Sequence, residues 1–526
     1  MEIPSSVGRW LAVGSLLLAA CGESAAPVPA ETTAPPDVKL AIDWFEGDVA
    51  EAFSLAREQE RPVLLYWGAA WCPPCNQLKS TVFNRPDFIA ASRPYMMVYL
   101  DGDTPGAQRW GEHFGAVGYP TLILFAPDGR ERTRLSSGLP PERYAQVLAA
   151  PPAARPVARL LQQVETDPAG LSDRDWEDLA FYAWEVDQGR ALEGRALDQL
   201  LARLAAACPQ TLTPLRYRLQ LLAAASRLEV QPELPPAQQV QVRQSLHALL
   251  ENPALRRANL SELQYHGAAL IAAASHTGTP EREALLGAYR RAMEASFADE
   301  SLPVKSRLLT MQGLVDWQRQ QHPEEAFPAP LKALVRERAA WADGAAATPY
   351  ERQSLIYNAA GYLHAAGLSD AARAMHLAEI ERAVAPHYYM SYLAGIEEDA
   401  GNASAALDWY RRAWEASAGP ATRAQWGIAY AQALLRLDSA ASERIEATVG
   451  AVIAALIEEP EAYYQRTRQR LAALDEALRD WQLAHPQEPV RARLHRQVAG
   501  LCERLQETSM QDECGDLFRR VAGEFP

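Results

Sequence analysis

The tightest constraint on this chain is an unbroken apolar run, PVLLYWG at 62–68, that leads within a few residues into Trp71-Cys72-Pro73-Pro74-Cys75 and then a helical pattern over 76–82. A run of strand formers without polar alternation fits a strand covered on both faces. Strand, CxxC and helix in that order is a redox arrangement with a mechanism. Cys72 falls at the start of the helix, where unpaired N–H groups and the positive end of the dipole favour a thiolate. Such a site pulls a thiol from about 8.5 into a range of roughly 3.5–7.5. Pro73 suits the first helical position, where an N–H would have no partner. Cys75, one turn on, can attack a mixed disulfide formed on Cys72. A structural zinc site needs four ligands, and the neighbouring sequence offers no second CxxC and no His pair, only His113. No metal site is therefore expected, and the redox reading is preferred to zinc or to a purely structural disulfide.

A second motif lies downstream, Gly118-Tyr119-Pro120-Thr121, running into an apolar strand that ends at Phe125. Proline cannot donate to a ladder, so it belongs at a strand's first position or at a bulge. Taken alone, Pro120 would be an ordinary trans turn proline. Taken with Trp71-Cys72-x-x-Cys75, the pair of motifs resembles the thioredoxin superfamily. That resemblance implies that Pro120 is a cis-proline whose preceding backbone faces the active-site sulfur and pairs with the substrate chain. Trp71, Tyr119 and Pro120 would then border the substrate site, Cys72 and Cys75 would form the redox-active disulfide, and no cofactor would be needed. Val82-Phe83 with Asp87-Phe88, a strand at 96–100 before Asp101, a turn at 125–129 (FAPDG) and a closing helix at 140–148 resemble the periplasmic thiol–disulfide interchange branch. One departure matters. Many thioredoxins carry a buried Asp six residues before the first cysteine, and here that position is Tyr66. A phenol with pKa about 10 is a poor base near neutrality, so resolution by Cys75 would use solvent or another group.

The first residues read as an address. WLAVGSLLLAA at 10–20 is too short to span a bilayer, which takes about 20 residues, and it ends in small residues before Cys21, as a secretory signal does. Leu18-Ala19-Ala20-Cys21 resembles the bacterial lipoprotein lipobox, which implies cleavage before Cys21 and lipidation of it; an ordinary secretory signal with a chance cysteine is the alternative. Gly22 after Cys21 points to the outer membrane of a bacterial periplasm. Either signal delivers the chain to a compartment where disulfides persist. The Pro-, Ala- and Thr-rich stretch to 38 reads as a flexible tether.

Beyond residue 150, Ala, Leu, Arg and Glu dominate and strand-like alternation is absent. Helices are predicted over 190–207, 236–251, 280–297 and 303–320, each bounded by Pro or Gly breaks. Gly367-Leu368-Ser369-Asp370-Ala371-Ala372 and Gly401-Asn402-Ala403-Ser404-Ala405-Ala406 are spaced as tetratricopeptide repeats are, although His376 and Glu379 stand where an aromatic and an Ala are expected. The expected fold is thus an α/β thioredoxin-like domain followed by a large all-α helical-hairpin solenoid of tetratricopeptide-like type. The divisions are 1–20 signal, 21–38 lipid-anchored linker, 39–150 thioredoxin-like domain, 151–345 helical region and 346–526 tetratricopeptide-like region. Solenoids present extended concave surfaces, so this region either docks a partner chain or only supports the head. Trp409, Tyr410, Trp414 and Trp426 read as core aromatics.

Cys502 and Cys514 either clip the last hairpin or remain two free thiols; Cys208 reads as a buried apolar residue. Acidic residues outnumber basic ones, 66 to 51, which disfavours nucleic-acid binding. Two functions fit: a membrane-tethered thiol–disulfide oxidoreductase acting on protein disulfides or thiols with an unknown redox donor, or a protein-binding scaffold whose head has minor catalytic importance. Intact WCPPC favours the enzyme.

Overall fold

The computed structural model describes residues 41–149, 155–187, 189–192, 194–486 and 489–519. The expected signal, the lipidated Cys21 and most of the tether lie outside the described residues. The head contains α1 (Val49–Glu58), β1 (Val63–Gly68), α2 (Pro73–Thr81), α3 (Pro86–Ser92), β2 (Met96–Asp101), α4 (Ala107–Phe114), β3 (Thr121–Phe125), β4 (Glu131–Leu135) and α5 (Pro141–Leu148). Its sheet has the order β2-β1-β3-β4, with β1 parallel to β2 and antiparallel to β3.

Alternation explains why β1 is apolar throughout. Leu64 and Tyr66 face one core with Leu78 of α2, Phe88 of α3 and Tyr144 and Val147 of α5. Val63, Leu65 and Trp67 face the other, with Ala52 and Ala56 of α1 and Ala107 and Phe114 of α4. Each fully buried Val, Leu or Phe among them contributes about 1.5–3 kcal/mol by leaving water, and each Ala less. Gly111 of α4 is small by necessity: a Cβ there would meet the Trp67 ring at 2.7 Å.

Beyond the head the described residues are all-α, apart from an isolated bridge between Tyr182 and Leu135 of β4. The helix Pro236–Glu251 matches its predicted bounds and Pro280–Ala298 runs one residue longer than predicted. The helix predicted from 190 instead begins at Leu197, because Gly189 and Gly194 take left-handed conformations and fold the preceding residues into turns. The segment predicted as one helix over 303–320 breaks at a 3-10 turn, Leu309–Met311, between Val304–Leu308 and Gln312–Gln321. Gly367 and Gly401, spaced by the suspected repeat, close equivalent turns. Each has positive φ, and the next residue's N–H reaches back to the carbonyl five residues earlier: Leu368 to Leu363, Asn402 to Glu397. His376 is buried in this region and stacks on Tyr392, while buried Glu379 pairs with Arg352 and Arg382. Among the described residues no helix is long and apolar enough to cross a membrane.

Candidate active site

The apolar strand β1 delivers the chain to Cys72, which caps α2 in an extended conformation. Its Sγ accepts the backbone N–H of Cys75 at 3.2 Å and is bonded to the Cys75 sulfur, with Cα atoms 5.2 Å apart. Prolines at the first two helical positions have no N–H, so the Cys75 amide is the first-turn donor left to Cys72. The Tyr119–Pro120 peptide bond is cis and opens β3 beside the same site. Trp71 and Tyr119 lie edge to face, ring centroids 5.8 Å apart.

Beneath the disulfide lies an aromatic layer where many thioredoxins carry an Asp. Tyr66 stacks on Tyr99, centroids 5.0 Å apart, and the Tyr99 hydroxyl donates to Asp101 at 2.7 Å. Burial, then the Asp101 charge, pushes the Tyr66 phenol far above its ordinary value, so it is no proton acceptor for Cys75. Lys79, in contact with the Tyr99 and Tyr350 rings, is held below the usual lysine range by burial.

The helical region covers this site. Cys72 is 2% exposed and Cys75 0%. The Trp71 indole N–H donates to Thr422 Oγ1 at 2.9 Å; the Thr422 hydroxyl donates to Asp103 Oδ2 at 2.5 Å and its backbone N–H to Oδ1 at 2.8 Å. Burial raises the Asp103 carboxyl, with the Thr422 donors opposing. The Trp71 ring stacks on Tyr388 and meets Trp426 edge-on, and Gln353 Nε2 donates to the Trp71 carbonyl at 3.3 Å. The carbonyls approaching the cis bond are also engaged: Ala116 accepts from Gln465 Nε2 at 2.6 Å and Val117 from Arg466 at 3.3 Å, with the Arg466 guanidinium over the Tyr119 ring.

Cys72, Cys75, Trp71, Tyr119 and Pro120 are therefore brought together. Trp426, read from sequence as a core aromatic, is buried between Trp71 of the head and His387 and Tyr388 of its own region, and Thr422, Gln353, Tyr388 and Arg466 carried no local signal. Cys502 and Cys514 are joined by a disulfide, Cα atoms 5.5 Å apart, and Cys208 is a buried free thiol. Among the described residues no cluster of three His, Cys, Asp or Glu could hold a metal ion.

Comparison with known proteins agrees with the head's architecture. A family model described as a thioredoxin-like domain matches residues 49–150. The thiol:disulfide interchange protein DsbD of Pseudomonas fluorescens is 31% identical over 83 residues, 15% of this chain and 14% of that protein. The thiol:disulfide interchange protein DsbD 2 of Pseudomonas aeruginosa is 32% identical over 79 residues, again 15% and 14%. The chain thus spans 14% of the length of these curated relatives. The segment 49–150 is a thioredoxin-like α/β domain, followed by an all-α region.

Proposed function

We propose that the chain is an extracytoplasmic thiol–disulfide oxidoreductase, tethered to a bacterial membrane through a lipid on Cys21, whose helical region recruits the client or redox partner and governs its access to Cys72. The observation that carries this reading is the Cys72–Cys75 disulfide at the N-terminus of α2, with the Cys72 sulfur accepting a backbone N–H. In the reduced protein the Cys72 thiolate attacks a client disulfide. A mixed disulfide forms and one client thiolate leaves. The Cys75 thiolate then attacks the Cys72 sulfur, releasing the second client thiolate and leaving Cys72–Cys75 oxidised. The client gains two electrons and the protein loses two; the same steps run backwards oxidise a client dithiol. The Cys75 proton goes to solvent or to a group other than Tyr66. For a folded client to reach Cys72, the face carrying Thr422, Tyr388 and Trp426 must part from Trp71.

The burial of Cys72 favours a second reading, a binding scaffold in which the head is a docking element. A Cys75→Ala variant separates the two. The enzyme reading expects it to accumulate mixed disulfides with periplasmic proteins, visible on non-reducing gels and absent from Cys72→Ala, and expects the wild type to reduce insulin with a thiol donor. Neither trapped partner nor insulin reduction would leave the scaffold. Cys21→Ser is expected to move the protein from the membrane to the soluble fraction.

A further inference from the structure

A cavity of about 500 Å³ lies between the head and the helical region, away from the Trp71 contacts. The head lines it with Pro74, between the two cysteines, and with the β4–α5 loop; the helical region lines it with Arg218, Glu262, Tyr265 and Lys305. Its volume is in the range of small-molecule sites, and Tyr265 exposes 51% of its surface there, a large aromatic left without full cover.

The charges lining this cavity match in number, Arg85, Arg218, Arg257 and Lys305 against Glu142, Glu185, Glu229 and Glu262, but not in pairing. Arg85 pairs with Asp87 and Arg257 with Asp299, both outside the lining. Arg218 Nη1 and Glu262 Oε1 form an ion pair at 2.5 Å, and Arg218 Nε also donates to the Ala180 carbonyl. The other Glu262 oxygen is buried without a hydrogen-bond partner. Lys305 is 6% exposed and has neither a hydrogen bond nor an ion pair among the described residues. Burial alone pushes its ammonium down to about 7, with no carboxylate acting to hold it up. Glu185 and Glu229 on the wall are solvent-exposed and Glu142 partly so, and burial lowers His266 toward its neutral form. Of the 51 basic residues only four are lysines, Lys39, Lys79, Lys305 and Lys332. Among the described residues the ion pairs are built from arginine, with two from histidine, and this lysine stands apart from them.

We infer that the cavity is a binding site for a small amphipathic carboxylic acid, its carboxylate paired with Lys305, its apolar body against Tyr265 and Pro74, and a hydroxyl, amide or amine donating to the free oxygen of Glu262. A single unmatched cation suits a monocarboxylate; a phosphate or sulfate, with more acceptors to satisfy, would call for an arginine fork or several cations. The inference is independent of the redox chemistry, because Cys72 does not line the cavity.

The test is calorimetric binding of 3-(4-hydroxyphenyl)propanoate to the full-length protein, compared with its uncharged methyl ester. The acid is expected to bind at least about tenfold more tightly than the ester, since a charge-assisted bond forms in a desolvated site. Lys305→Met, which keeps the length and apolar stem, is expected to erase that preference, and Lys305→Arg to keep part of it. Equal affinity of acid and ester for the wild type, retention of the preference in Lys305→Met, or no binding of the acid up to about 10 mM, near the weakest affinity one such contact sustains, each overturns the assignment.

Discussion

Replacing Thr422 by Val removes one hydroxyl and keeps the shape, and that hydroxyl joins the head to its cover. It accepts from the Trp71 indole at 2.9 Å and donates to Asp103 at 2.5 Å. The valine leaves the indole N–H and one carboxylate oxygen without those partners. Each unpaired buried group costs about 1–3 kcal/mol. Asp103 is partly solvated and keeps the Thr422 backbone N–H, so its share belongs at the low end. The sum is about 2–4 kcal/mol against docking, which raises the open population by about 30- to 1000-fold. If Cys72 reacts only when the cover lifts, alkylation of the reduced protein by iodoacetamide accelerates by the same factor, until it reaches the rate of an exposed thiol. Mass spectrometry of the Cys72 peptide gives the rate, and a melting curve reports the whole fold. An unchanged alkylation rate alongside a lowered melting temperature would show that the hydroxyl stabilises the entire molecule and that no local opening admits the reagent.

Pro74→Ala restores an N–H at the second position of α2, next to the Cys72 sulfur; the Cys72 pKa should fall by about half a unit, read from the pH dependence of alkylation, and a rise would contradict the role given to that amide. Lys305 is held at about 7 when folded against 10.5 when free, so the unfolded chain binds the extra proton between those values and wild-type stability climbs as pH rises through that window. The gain is at most about 5 kcal/mol, less where water in the cavity solvates the ammonium; Lys305→Met should melt higher than wild type at pH 6, with the gap closing above pH 10.5, and a lower melting point at pH 6 would refute the unpaired charge. Cys502 and Cys514 are bonded across a sequence separation of 12, and replacing both by Ser should cost about 3 kcal/mol on the chain-entropy account, seen as earlier proteolysis of the hairpin formed by Val490–Cys502 and Thr508–Gly515.

What could be read from the sequence was local. The strand before Trp71 announces itself by an unbroken apolar run because both of its faces are covered, and the helix after it by two prolines in the first turn. Pro236–Glu251 was legible because proline marks its start and nothing interrupts its pattern. Where left-handed glycines fold a helix-like composition into turns, as before Leu197, composition misled. The cover was not legible, because its bonds join positions far apart: Gln353 and Trp71 differ by 282 residues and Thr422 and Trp71 by 351. No periodicity records such a contact. Trp426 carried half the information, as a side chain that had to be buried, without saying against what. Lys305 could have been noticed as one of few lysines in an arginine-rich chain, but its lack of a counterion is visible only in three dimensions.

Those separations also impose an order of events. Every group closing over Trp71 belongs to the last third of the polypeptide, while the disulfide and the cis bond are complete by residue 125. A nascent head folding ahead of its C-terminal segments exposes a reactive sulfur before the roof exists. Whatever oxidant meets it in that interval sets the cysteine pair's state when the roof first closes, and any later change of that state waits on the roof opening again.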